Sequence, residues 1–146
     1  MQNLVLVVDD DMDQRNIMRD ILKLGGFNPV LAANGEEAID FLTIADHLPK
    51  IIFLDMVMPI MDGTMFLSEI NSGRHPALEM IPVIAVSAVI KCLNMERRCN
   101  CIAAIEKPCD FAYLLKVAKI FVKGIDDSAG GSQQAQGVNA CDQFRD

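Results

Sequence analysis

An α/β architecture is what this sequence predicts: a doubly wound five-stranded parallel sheet with helices on both faces. Two observations carry that expectation. Short apolar runs appear without alternating polar residues, and amphipathic helical patterns lie between them. A strand covered on both faces is apolar at every position, whereas a half-exposed strand has period two. Buried strands alternating with helices build a parallel sheet through right-handed crossovers, and its ligands bind beyond the carboxyl ends of the strands.

Leu4-Val5-Leu6-Val7-Val8 is the first strand. A helix follows, with Asp11 or Asp13 as a candidate N-cap, Ile17, Ile21 and Leu24 at i, i+4 and i+7, and Gly25-Gly26 as its end. Pro29-Val30-Leu31-Ala32 is a weaker second strand. Asn34 caps the next helix, which turns Ala38, Ile39 and Leu42 inward. Ile51-Ile52-Phe53-Leu54 is the third strand, and Asp62-Gly63 opens a helix carrying Phe66, Leu67 and Ile70. Val83-Ile84-Ala85-Val86 is the fourth strand, followed by a short, poorly patterned helix over 90–98. The fifth, Ile102-Ala103-Ala104-Ile105, is the weakest because of its alanines. A last helix over 110–123, with Asp110 as N-cap, presents Leu114, Val117, Ala118 and Phe121 on one face. Leu115 and Val122 fall off that face and are expected to be exposed, open to a partner or a homodimer. The stretch 125–146 is polar, small and aperiodic, which predicts a flexible tail after a domain over 1–124, with no effector domain.

A length of 146 residues suits one domain, and 51% apolar residues are enough to build its core without metal or disulfide. With no Trp and one Tyr, base-stacking recognition of nucleic acid is not expected. A net charge of -7 likewise disfavours non-specific binding to a phosphate backbone. Asp9, Asp10, Asp11 and Asp13 crowd into one short stretch. The five cysteines are odd in number, no basic leader precedes the first apolar run, and no run reaches membrane-spanning length. A reduced, cytoplasmic setting is the expectation. Cys99-Asn100-Cys101 has poor zinc spacing and no nearby His.

The strand ends hold the chemistry. Asp9 and Asp10 follow the first strand, Asp55 the third, Ser87 the fourth, and Lys107-Pro108 the fifth. Each is an ordinary residue alone, since caps, turns and solvated charges use the same types. At successive strand ends they converge on one rim. Two like charges 4 Å apart repel by about 4 kcal/mol at an effective dielectric near 20. Either shifted protonation or a cation must offset this. With oxygen ligands alone the natural cation is Mg²⁺. Asp55 could then act as a carboxylate nucleophile toward phosphorus, with Lys107 and Ser87 binding the phosphoryl oxygens.

Four segments resemble the response-regulator receiver family: Val7-Val8-Asp9-Asp10-Asp11, Leu54-Asp55-Met56-Val57-Met58-Pro59-Ile60-Met61-Asp62-Gly63, Pro82-Val83-Ile84-Ala85-Val86-Ser87-Ala88 and Lys107-Pro108. The resemblance runs over 4–123 and implies the flavodoxin-like receiver fold of a single-domain response regulator. By it Asp55 is the phosphoacceptor, Asp10 a direct Mg²⁺ ligand, and Asp9 a ligand through water. The Val57 carbonyl completes the metal set, Ser87 and Lys107 bind the phosphoryl group, and the bond before Pro108 is cis. The implied donor is a phosphohistidine on a sensor histidine kinase or histidine phosphotransfer protein, and the implied recipient is a downstream protein or a relay.

The chain also departs from the family. Ala104 stands where an aromatic is usual, so the switch is expected to act through Ser87 and the fourth helix without it. Val57 and Val89 occupy positions that help or hinder the attacking water, and two branched apolar residues there imply slow loss of the phosphoryl group. Two other functions are open to these residues. A phosphohydrolase would use the same nucleophile, but enzymes related by that chemistry usually carry a second Asp where this chain has Val57. A scaffold that kept only the fold would not need the acidic set with Ser87 and Lys107.

Overall fold

A computed structural model of the chain describes residues 3–88 and 101–123. Five strands form one sheet: β1 (Leu4–Val8), β2 (Asn28–Ala32), β3 (Ile51–Asp55), β4 (Val83–Ser87) and β5 (Cys101–Glu106). Four α-helices accompany them among the described residues: α1 (Met12–Leu24), α2 (Gly35–Ile44), α3 (Gly63–Ile70) and α4 (Phe111–Lys123). The strand order is β2-β1-β3-β4-β5 and every pairing is parallel. The chain moves outward from β1 to β2, then returns to the other side of β1 as β3. A crevice therefore opens beyond the carboxyl ends of β1 and β3, where the connections part in opposite directions.

Alternation of side chains divides the core in two. Leu6, Val8, Ile52, Leu54, Val83 and Ala85 face a layer closed by Ala38 and Leu42 of α2 and by Phe66, Leu67 and Ile70 of α3. Val5, Val7, Ile51, Phe53, Ile84 and Val86 face the other layer, closed by Met18 and Leu22 of α1 and by Leu114, Val117, Ala118 and Val122 of α4. The unbroken apolar runs in β1, β3 and β4 thus reflect burial on both faces. Pro29 lies in β2 at one end of the strand order, where a missing amide donor costs no ladder bond. Between β4 and β5 the register slips: Val83 pairs with Cys101, but Ile84 pairs with Ala103. Ile102 is the extra residue of a bulge, so Ile102 and Ala103 both meet the α1/α4 layer while Cys101 and Ala104 meet the α2/α3 layer.

The helix starts follow from their caps. Asp11 accepts from Asp13 N–H and Gln14 N–H, Asn34 from Glu37 N–H, and Asp62 from Met65 N–H. Glu37 reaches back to Ala33 N–H and closes the start of α2 from the other side. Asp110 accepts from Ala112 N–H at the start of α4.

Three helix-face expectations are corrected. On α1 the buried positions are Met18 and Leu22, whereas Ile17 is exposed and Leu24 is 87% exposed. The apolar stripe is rotated by one residue, which places the long Met18 on the sheet. On α4, Val122 is fully buried rather than exposed. Leu115 is half-buried in the same layer, and a Cβ on Gly25 would lie 2.3 Å from its Cδ1, so it closes over the end of α1. Val122 therefore offers no surface to a partner or a second copy; Tyr113 and Ile120 are the exposed large apolar residues of α4. The expected helix over 90–98, Val89, Cys92, Cys99, Cys141 and the tail over 125–146 lie outside the described residues. Among the described residues, Cys101 and Cys109 are thiols, and no helix is long and apolar enough to cross a membrane.

The rotated face of α1 has a measurable consequence. Leu22→Ala is expected to cost about 2–5 kcal/mol. Leu24→Ala should stay within about 0.5 kcal/mol of the parent in urea unfolding.

Candidate functional site

The pairing of β1 with β2 extends one step past the strand, since Asp9 N–H donates to Ala32 O at 3.1 Å. This keeps Asp9 at the rim, 3% exposed, with its carboxylate directed into the crevice. Its Oδ1 accepts from Asp11 N–H at 2.9 Å and winds the turn into α1. Asp10, next in the chain, is exposed. Asp55 ends β3 one strand away, where its Oδ1 accepts from Val57 N–H at 3.1 Å. Oxygen atoms from Asp9, Asp10 and Asp55 all lie within 4.8 Å of one another.

Ser87 ends β4, wholly buried, one residue beyond the Val86 that pairs with Asp55. Lys107 N–H donates to Ser87 O at 2.9 Å, which carries the β4–β5 pairing one residue past β5. The Lys107 side chain then reaches back across the rim. Its Nζ donates to Asp9 Oδ2 at 2.9 Å and to Asp55 Oδ2 at 3.1 Å. The Lys107–Pro108 bond is cis. A hollow of about 350 Å³ opens beside the ammonium, lined by Gln14, Ala88, Lys107, Pro108, Cys109 and Phe111.

The loop from β3 to α3 curls over this rim. Gly63 N–H bonds Met56 O at 3.2 Å, and Gly35 N–H bonds Met61 O at 3.1 Å. Gly63 must lack a side chain, because a Cβ there would lie 2.9 Å from Asp55 O and 2.6 Å from Met56 Sδ. Ile60 has φ 70°, a left-handed conformation that costs a branched residue about 1–2 kcal/mol. Ile60 is 70% exposed and Val57 is 65% exposed, so both stand on the open side of the site.

Burial, more than any other effect, raises the Asp55 carboxyl above its ordinary value; hydrogen bonds from Val57 and Lys107 oppose this and Asp9 adds to it. Burial pulls the Lys107 ammonium downward, but its bonds to Asp9 and Asp55 outweigh this and raise it above its ordinary value. The ion pair therefore favours the ammonium yet leaves the Asp55 carboxylate under-compensated. Burial likewise pushes the Cys109 thiol up.

Asp9, Asp10, Asp55, Ser87 and Lys107 stand at this rim, and Val57 meets it through its N–H, which bonds Asp55 Oδ1. Arg15 was not anticipated. Its Nη1 donates to the main-chain oxygen of Asp9 at 2.7 Å. The available signal is a cation six residues after Asp9, on a helix that starts in an acidic run. The donor set fits a hard divalent cation: it consists of carboxylate oxygens, and the Lys107 ammonium already spans two of them.

Residues 5–119 match the family described as the response regulator receiver domain, and the chain belongs to that family. It is 33% identical over 122 residues to the sensor histidine kinase CheAY of Helicobacter pylori, aligning 82% of this chain with 15% of that protein. It is 29% identical over 127 residues to the polar-differentiation response regulator DivK of Brucella anthropi, covering 84% of this chain and 98% of that regulator. Among solved structures, it superposes with TM-score 0.69 on the receiver domain of a sensor histidine kinase from Pseudomonas aeruginosa that has a magnesium ion coordinated in its active site cleft. That pair shares 20% identity over 84% of this chain and 98% of the other, a likeness of fold. The doubly wound receiver fold is thus the one the sequence predicts.

The carboxylate imbalance sets two signs. The Asp55 carboxyl is raised above 3.8, so its ionisation costs stability as pH climbs through the folded value. Asp55→Asn is therefore expected to raise the melting temperature of the metal-free protein at neutral pH, as read by circular dichroism. Lys107 is raised above 10.5, so its contribution is complete below that pH and is lost as pH rises through the folded value. The melting temperature should accordingly fall in strongly alkaline buffer, and fall less in Lys107→Met.

Proposed function

We propose that this chain is a response regulator that accepts a phosphoryl group on Asp55 with Mg²⁺ bound and signals by a change of conformation. The observation that carries the reading is the set of three carboxylates within 4.8 Å at the sheet's switch point, two of them, Asp9 and Asp55, bridged by the Lys107 ammonium. Asp9, Asp10, Asp55 and the Val57 carbonyl would hold the ion. The magnesium-bearing neighbour from Pseudomonas aeruginosa supports the choice of metal. When bound, the ion supplies charge neutralisation for the oxygens in transfer.

An Asp55 carboxylate oxygen attacks phosphorus of a phosphohistidine. The new O–P bond forms as the P–N bond breaks, and the electron pair remains on the imidazole nitrogen. Lys107 gives up part of its double carboxylate contact to meet a phosphoryl oxygen, and the Ser87 hydroxyl donates to another. Burial disfavours the Asp55 carboxylate, and formation of the acyl phosphate moves negative charge from the buried carboxyl onto the phosphoryl oxygens, where Lys107 meets it.

The donor in this reading is a sensor histidine kinase or a histidine phosphotransfer protein, and the output is a downstream protein or a relay, in the cytoplasm. The phosphoryl group shifts a pre-existing equilibrium between two conformations. The chain is not a turnover enzyme: it catalyses its own phosphorylation and slow dephosphorylation. Val57 supports this, since its exposed branched side chain is itself neither acid nor base and cannot activate water.

Incubation with Mg²⁺ and acetyl phosphate should add one phosphoryl mass to the intact protein and none to Asp55→Asn. Labelling that survives in Asp55→Asn, or continuous release of phosphate, defeats the proposal. Replacing Val57 by Asn should shorten the phosphoryl lifetime, measured by loss of the added mass after acetyl phosphate is removed. An unchanged lifetime would remove Val57 from the account.

A further inference from the structure

The geometry points to Arg15 as a positioning residue that sets the direction of the Asp10 carboxylate for cation binding. This rests on the Mg²⁺ reading above and adds to it a residue outside the ligand set. Asp10 is exposed, so packing does not orient it. Its carboxylate turns on its own φ and side-chain torsions, and these start from the peptide plane that joins it to Asp9. One end of that plane is the Asp9 carbonyl, and the Arg15 guanidinium holds this oxygen at 2.7 Å. Because a peptide is planar, fixing the carbonyl also fixes the Asp10 amide, and with it the path of the chain into Asp10.

The rest of Asp9 is already committed. Its amide bonds Ala32 O, Oδ1 takes the Asp11 amide and Oδ2 takes the Lys107 ammonium. The carbonyl is the remaining polar group, and Arg15 secures it from the first turns of α1. That helix is anchored in turn through Asp11, which caps it and whose carbonyl receives Arg15 N–H at 2.9 Å. Arg15 thus joins the end of β1 to α1 across the three-aspartate turn. A planar guanidinium suits this task, because its several donors approach an oxygen along fixed directions.

Charge and position make opposite demands, which renders the inference testable. A cation near an acidic site weakens Mg²⁺ binding by repulsion, so losing its charge alone would tighten binding. Losing the positioning would weaken it, and removing such outer partners of metal ligands typically costs about 10–100-fold in affinity. The experiment uses the full chain with Arg15→Met and Arg15→Lys. Mg²⁺ affinity is titrated well below the melting temperature. The metal-free protein is followed in parallel by thermal unfolding and by amide NMR shifts.

The expected result for Arg15→Met is Mg²⁺ binding weakened about tenfold or more, with a displaced Asp10 amide resonance in the metal-free protein. Arg15→Lys should recover part of both effects. Equal or tighter Mg²⁺ binding by Arg15→Met overturns the assignment. So does a lowered melting temperature with unchanged affinity of the folded molecules, which marks a purely structural arginine. If the unsubstituted chain bound no Mg²⁺, the metal reading and this inference would fall together; if it bound and Arg15→Met matched it, this inference alone would fall.

Discussion

The Lys107 ammonium bound to two carboxylates is the contact on which the site's arrangement depends. Asp9 and Asp55 are both buried, and a third acid, Asp10, lies beside them. Without a cation between them the like charges would drive the strand ends apart or force a proton onto one oxygen. Lys107 spans 98 residues to Asp9 and 52 to Asp55. Closing such distances for two hydrogen bonds would not occur in a short peptide. The parallel sheet has already closed them, so the ammonium needs only a side-chain rotamer. Among the described residues no buried side-chain nitrogen or oxygen lacks a partner, so the rim is complete in its hydrogen bonds.

That completeness is conditional, and the condition makes the site responsive. The carboxyl of Asp55 is raised, whereas the ammonium of Lys107 gains from the same contact. One partner is satisfied and the other is strained by burial. A site of this kind gains when positive charge arrives or when Asp55 loses its charge. The loop from β3 to α3 adds a second store of energy, because Ile60 occupies a left-handed conformation. Hydrogen bonds at Gly35 and Gly63 hold that loop against the rim, and a Cβ on either glycine would meet it at under 3 Å. Strain and tight approach therefore meet in the segment that leaves Asp55.

The β4–β5 bulge shows how packing sets chemistry at a distance. One extra residue at Ile102 changes which layer each later residue of β5 meets. Ala104 consequently meets the α2/α3 layer and Ile105 the α1/α4 layer. The strand then runs out at Glu106, and the Lys107 amide makes one more bond to Ser87. A different count of residues in β5 would shift the phase at Lys107 by one, and a shift of one reverses the face of a strand.

The sequence by itself determined the fold class, the caps and the chemical inventory of the rim. Continuous apolar runs in β1, β3 and β4 are readable because a strand buried on both faces leaves no other pattern. Asp11, Asn34 and Asp62 are readable as caps because the interaction is local, within three residues. The polar residues after each run are readable because parallel strands expose their carboxyl ends on one side. Tertiary structure alone decided which side of a helix is inside. Residues 17, 21 and 24 and residues 18 and 22 are both helical stripes, and docking on the sheet selects the second. Val122 continues the stripe of Leu114 and Ala118 at i+8 and i+4 and is buried with them, whereas Leu115 is drawn in because it closes over Gly25 at the end of α1, a contact with no periodic trace. Arg15 was missed for a related reason: its partner is a main-chain oxygen, which every residue possesses and no sequence pattern marks.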